Sequence, residues 1–201
     1  MIKQGTLFVI SGPSGCGKGT VLEQVLQNPN LFYSVSATTR EMRPGEQDGV
    51  QYYFMSQSDF EQLIQEDGVL EYAQYCDHYY GTPRKPVEEH LARGHDVILE
   101  IEVEGAKQIR KKCPEAVLLF LMPPSLSTLE HRLKKRGTES QEVIDQRIAQ
   151  ATREIQQANL YDYIVVNDAL EQAIEDVNAI IRAESCKVSK CQTIAKEVLL
   201  K

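Results

Sequence analysis

An apolar run, Leu7-Phe8-Val9-Ile10, leads straight into Ser11-Gly-Pro-Ser-Gly-Cys-Gly-Lys-Gly-Thr20, and a helix-like segment opens at Lys18. Strand, glycine-rich loop, lysine and helix in this order form a cradle for nucleotide phosphates. Gly12, Gly15 and Gly17 let the backbone turn tightly. The freed N–H groups and the start of the helix then make an anion nest. Lys18 adds a full positive charge within reach of the outer phosphates. A glycine cluster alone would mean only a turn; the strand before it and the helix after it make it a site. The residue after Lys18 is Gly19, where a Ser or Thr that ligates magnesium is usual, and Thr20 comes one place later. No protein side chain is therefore assigned to a metal. Mg²⁺ is expected to ride on the phosphates and keep several waters.

The remaining composition narrows the setting. A chain of 201 residues has room for one domain with a sizeable core. Its net charge of -7 makes it a poor binder of nucleic acid in bulk, so any anion must be held by local clusters of Arg and Lys. No apolar run approaches the roughly 20 residues that span a bilayer. Met1 to Gly5 reaches the first strand at once, with no signal peptide in view. A cytoplasmic location is expected. The five cysteines, Cys16, Cys76, Cys113, Cys186 and Cys191, are scattered, without a C-x-x-C pair or a His at zinc spacing. They read as reduced thiols. Cys16 lies near a helix start, which lowers thiol pKa in general, but a small filler residue is the preferred reading.

Four apolar runs read as buried parallel strands: 7–10, 97–101, 117–121 and 164–166, with 33–36 as a fifth. Helix-like segments cover 18–26, 103–112, 125–136 and 169–186. Strand alternating with helix predicts a three-layer α/β sandwich on a mostly parallel sheet. Residues 1–35, 96–125 and 160–201 make its core. The stretch 36–95 breaks the rhythm. It is rich in Tyr, Gly and charge, and reads as a small, mostly antiparallel insert with one short helix, capped by Ser58-Asp-Phe-Glu61. A second insert, 126–159, is helical and carries arginines. Such inserts at the carboxyl ends of strands are where ligands bind. The segment 187–201 reads as an amphipathic helix or a frayed tail.

Arg40 and Arg43 lie three apart beside the turn signal Pro44-Gly45, and two guanidinium forks so placed can grip one phosphate. Tyr52 and Tyr80 bring hydroxyls that can donate to it. On its own this pattern also suits a solvated loop. The whole stretch from Thr38 to Phe54, however, resembles the signature of the guanylate kinases: Thr38-Thr39-Arg40, then Arg43, Glu46, Gly49, Tyr52 and Phe54. Glu71, Tyr79-Tyr80-Gly81-Thr82, Glu100-Ile101-Glu102-Val103-Glu104-Gly105, Arg136-Gly137-Thr138-Glu139 and Val165-Val166-Asn167-Asp168 extend the resemblance in order over nearly the whole chain. The Gly-Lys-Gly-Thr variant of the loop is similar to that of bacterial members.

The resemblance implies a nucleoside monophosphate kinase of the phosphate-loop type, with a small mixed α+β nucleotide-binding insert and a helical lid. ATP would bind to Gly12, Pro13, Ser14, Gly15, Cys16, Gly17, Lys18, Gly19, Thr20 and Asn167. GMP, with dGMP as a further acceptor, would be held at its phosphate by Arg40, Arg43, Tyr52 and Tyr80, and at its base by Ser36, Glu71 and Thr82. Glu102 is placed near the substrate, while Glu100 is either a neighbour of it or a paired structural carboxylate. Lys18, Arg132, Arg136 and Arg147 would serve catalysis. The role of Glu71 makes physical sense: guanine offers two adjacent N–H donors that one carboxylate can accept, and adenine does not. Partners are GMP and ATP, not nucleic acid or a membrane, and a homo-oligomer is allowed. Two alternatives stand beside this reading: a kinase for another monophosphate, and a non-catalytic module of the same family that docks proteins.

Overall fold

The structure, a computed structural model, describes residues 4–137 and 140–191. The chain begins with β1 (Leu7–Ser11), α1 (Lys18–Val25), β2 (Leu31–Tyr33), β3 (Ala37–Thr38) and β4 (Tyr53–Phe54). Next come α2 (Gln57–Gln65), β5 (Val69–Tyr75), β6 (His78–Pro83) and α3 (Arg84–Ala92). The rest is β7 (Asp96–Glu100), α4 (Val103–Lys112), β8 (Val117–Met122), α5 (Leu126–Arg136), α6 (Gln141–Ile155), β9 (Tyr163–Val166) and α7 (Leu170–Ser185). The expectation for 192–201 lies outside the described residues. Among the described residues no helix is long and apolar enough to cross a membrane.

Five strands form one sheet in the order β2-β7-β1-β8-β9, and every neighbouring pair in it is parallel. β1 lies at its centre, buried along its whole length. Its side chains alternate between two cores, as a pleated strand covered on both faces requires. Phe8 and Ile10 pack with Val21, Leu22 and Val25 of α1 and with Ala173, Val177 and Ile181 of α7. Leu7 and Val9 pack on the other side with Val87 of α3 and with Ala106 and Ile109 of α4. The expected α/β sandwich is therefore present, with its phosphate loop at the carboxyl end of the central strand.

Two local expectations are corrected. The fifth strand is at Leu31–Tyr33 and not at 33–36. The turn at Asn28, whose Oδ1 accepts from the Asn30 N–H at 3.1 Å, already delivers the chain to the sheet edge at Leu31. The helix of the insert is capped by Ser56, not Ser58. The Ser56 Oγ accepts from the Asp59 N–H at 3.1 Å, and Ser58 falls inside the first turn. Starting α2 there brings Phe60, fully buried, onto Ala37 and Val69. A helix not expected from the sequence, α3, follows directly on β6. Its Pro86 sits in the first turn, where a missing N–H costs nothing, and Val87 and Leu91 fasten it to the parallel sheet. The second sheet has the order β4-β3-β6-β5; it is antiparallel except where β3 meets β4.

Candidate active site

The loop after β1 is shaped by close approach. A Cβ on Gly12 would stand 1.9 Å from the Leu121 carbonyl oxygen, so only glycine lets the loop leave β1 beside β8. Gly17, at φ 97°, caps α1, and a Cβ there would stand 2.4 Å from the Asn167 Nδ2. That amide donates to the Cys16 carbonyl at 2.8 Å and holds the loop from behind. Lys18 Nζ donates to the carbonyls of Gly12 at 2.6 Å and Pro13 at 3.3 Å, which folds the ammonium back over the loop. Cys16 is buried in the core, and burial pushes its thiol up in spite of the Lys18 charge. The general lowering of thiol pKa near a helix start is thus overridden, and the side chain acts as filler. Gly19 faces open space, with nothing within 4 Å of a Cβ built there.

In front of the loop lies a cleft made of two adjoining cavities of about 360 and 270 Å³. The first reaches Lys18, Gly12 and Ser14; the second reaches Glu71, Tyr80 and Gly81. Both are walled by Ser36, Tyr52, Glu100, Ile101 and Glu102. Glu71 is buried and receives the Thr82 hydroxyl at 2.7 Å. Burial pushes its carboxyl above the ordinary glutamate range, with Thr82 pulling the other way. Arg40 lies against the rings of Tyr52 and Phe54, 5.4 and 5.5 Å from their centroids. Its fork meets Glu46 with both nitrogens at 2.9 Å. The Arg40 guanidinium, aided by the Arg43 N–H, holds the Glu46 carboxyl down at about 2. Tyr52 and Tyr80 stand edge to face at 5.9 Å. The Tyr33 hydroxyl, pushed up to about 12 by burial and by Glu100, donates to that carboxylate at 3.4 Å.

The second insert has a small core of its own, in which Leu129 and Leu133 of α5 meet Ile144, Ile148 and Ala151 of α6. It touches the loop at several points. A Cβ on Gly15 would stand 2.8 Å from the Leu133 Cδ2. Arg132 donates to the carbonyls of Asn167 at 2.9 Å and Cys16 at 3.4 Å. Arg147 donates to the Ser14 Oγ at 3.1 Å. Beside Arg132 lies a further groove of about 350 Å³, lined by Gly15, Gly17, Thr20, Asn167 and Asp168.

The model of the guanylate kinase family matches residues 4–184. The chain belongs to the guanylate kinase family. It is 59% identical over 181 residues to the guanylate kinase of a Thermus thermophilus strain, covering 90% of this chain and 82% of that one. It is 54% identical over 185 residues to that of Carboxydothermus hydrogenoformans, covering 92% and 91%. The crystal structure of guanylate kinase from Anaplasma phagocytophilum matches with a TM-score of 0.75 at 31% identity, over 94% of this chain and 90% of that one.

With family membership established, the positions expected from the guanylate kinase resemblance can be located. Ser36, Tyr52, Glu71, Tyr80 and Glu102 line the cleft, and Thr82 stands behind Glu71. Arg40 lies at the cleft through Tyr52. Arg43 is exposed, and its backbone N–H goes to Glu46 at 2.8 Å. Arg132 and Arg147 reach the loop at different places, Cys16–Asn167 and Ser14. The Arg136 side chain, Thr138 and Glu139 lie outside the described residues. Residue-by-residue reading missed Gln51, Tyr33 and Glu154, all on the cleft wall. Glu154 had one signal: it lies seven residues after Arg147, on the same face of α6. Burial pushes its carboxyl up, and Gln150 donates to it at 2.9 Å.

Proposed function

We propose that this chain transfers the terminal phosphoryl group of ATP to GMP, yielding ADP and GDP, with dGMP as a second acceptor. The observation that carries the reading is the shared wall of the two cavities. An acceptor whose base lies at Glu71 points its phosphate past Tyr80 and Tyr52 toward Lys18. The two anionic groups then meet in line, which is most of what phosphoryl transfer needs from a protein.

Glu71 accepts from the two adjacent N–H groups of guanine, and Thr82 orients it. Arg40, Arg43, Tyr52 and Tyr80 hold the acceptor phosphate, with Glu46 keeping the Arg40 fork in place before the substrate arrives. The attacking atom is a phosphate oxygen that is already an anion, so no covalent intermediate on the protein is needed. Backbone amides of residues 12–20 and the Lys18 ammonium neutralise the moving charge. Arg132, Arg136 and Arg147 add to this as the lid settles, and Asn167 holds the loop from behind. Mg²⁺ bound together with the ATP phosphates would supply further positive charge. Among the described residues no cluster of three potential metal-ligating side chains exists, so the carboxylates at the cavity, Glu100 and Glu102, would hold it through its waters. The lid and the small sheet close over the pair and keep water from the terminal phosphate.

The deciding experiment is a panel of nucleoside monophosphates with ATP and Mg²⁺, read as ADP release. GMP should be turned over far faster than AMP, CMP or UMP. A faster rate with another monophosphate would move the chain to that acceptor, equal rates would remove base selection, and no rate with any of them would leave a binding module.

A further inference from the structure

β5 does not alternate. Val69, Leu70 and Glu71 are buried in succession, which a regular strand with one buried face does not do. The ladder to β6 explains it. Val69 faces Pro83 and Tyr72 faces Gly81, so Leu70 and Glu71 together oppose the single residue Thr82. Two residues against one make a bulge, which bends a strand and re-aims a side chain. The side chain re-aimed here is Glu71, and the residue opposite, Thr82, donates to it.

β5 is also the outer strand of its sheet, so its far edge has no neighbouring strand to steady the bulge. α4 occupies that edge. The Gln108 amide exchanges two hydrogen bonds with the backbone of Tyr72: Nε2 donates to the carbonyl at 2.8 Å, and Oε1 accepts from the N–H at 3.2 Å. This is the pattern a paired strand residue would make. One turn on, Lys112 Nζ donates to the Val69 carbonyl at 3.1 Å. One turn back, a Cβ on Gly105 would stand 2.5 Å from the Glu71 Oε2. Positions 105, 108 and 112 share one face of the helix. α4 therefore grips the strand on both sides of the bulge and lies against the carboxylate between.

We infer that Gln108 is a positioning residue for base selection: with Lys112 it stands in for the missing strand and fixes the aim of Glu71. This rests on the guanine-side role of Glu71 proposed above. Tyr72 is exposed enough for water to replace Gln108 as a hydrogen-bond partner. Loss of the amide therefore frees the bulge more than it costs fold stability.

The test uses the full chain with Gln108→Ala and Gln108→Glu, each also in a Glu71→Gln background. Initial rates are measured with GMP and with IMP, which lacks the exocyclic amine. In Gln108→Ala the KM for GMP should rise about tenfold, the cost of losing a paired set of hydrogen bonds and the geometry they impose. The preference for GMP over IMP should shrink, while the KM for ATP stays within about twofold. Gln108→Glu keeps the acceptor for the Tyr72 N–H and loses the donor, so it should fall between; it decides the matter if the alanine variant does not fold. In the Glu71→Gln background Gln108→Ala should add nothing. An unchanged KM and preference would overturn the inference, as would an equal loss with both acceptors that persists in that background. Amide hydrogen exchange at Glu71 and Tyr72 needs no turnover and should quicken in Gln108→Ala; unchanged exchange also overturns the clamp. Wild-type protein that leaves GMP untouched would sink the proposed function, and the exchange result would still stand.

Discussion

In the proposed site, the recognising groups around residues 12–20 are main-chain amides, and packing fixes them: Leu121 against Gly12, Leu133 against Gly15 and Asn167 against Gly17. Around Glu71 and Arg40 the recognising groups proposed above are side chains, and other side chains fix them: Thr82 for Glu71 and Glu46 for Arg40. The donor end suits what it binds. Every nucleoside triphosphate carries the same phosphates, and a backbone nest with one lysine matches that sameness. The acceptor end must tell one base from another. That task needs a charge of fixed aim in a place poor in water, where an unmatched group is costly. The two ends differ in tolerance as well. At Gly12, Gly15 and Gly17 the loop fails by collision, because a methyl group there meets Leu121, Leu133 or Asn167, whereas the acceptor end fails by losing its aim.

Four measurements would break or sharpen this contrast. The largest effect is expected for Lys18→Ala, which should lower kcat by at least about a hundredfold, while calorimetry finds GMP binding nearly unchanged. Surviving turnover would mean that the amides alone carry the donor end. Next, Glu71→Gln should cut the preference for GMP over AMP by roughly tenfold or more, since the amide meets one guanine N–H with a donor of its own. A preserved preference would move base selection elsewhere. Third comes pH. Burial raises the Glu71 carboxyl, and guanine needs it as an anion. The KM for GMP should therefore climb as pH falls, starting above the ordinary glutamate value of about 4.3, and the KM for ATP should not follow. The smallest effect concerns Glu46. Its carboxyl is held at about 2 by Arg40, so an NMR titration should find it ionised well into acid. A lowered carboxyl contributes its full stability above its unfolded-state value, and that contribution is lost progressively as pH falls from there through about 2. In Arg40→Ala the midpoint should rise toward the ordinary range, with the Arg43 N–H still holding it partly down.

Legibility in the sequence follows the same divide. The loop and four of the five strands of the parallel sheet could be read from residues alone, because continuous apolar runs such as 117–121 and glycines spaced around Lys18 have few other uses. The sites for the acceptor were legible only as a family pattern. Nothing local announces that Leu70 and Glu71 share one partner across the ladder, since a bulge depends on the strand opposite. α3 was hidden by Pro86, which reads as a breaker until its place in the first turn is known. Ser58 with Glu61 makes the capping box on paper, but the helix is capped at Ser56, which brings Phe60 into the core. Glu46 is one acid among many in the string and gains its meaning from the Arg40 fork.

The bare position at Gly19 is open on the side of the protein. With no atom within 4 Å of a Cβ there, a hydroxymethyl group could be grafted onto the helix at no steric penalty, and a helical glycine already costs up to about 1 kcal/mol against alanine. Crowding by the protein's own described atoms is thus not what keeps a direct oxygen ligand from the position beside the lysine.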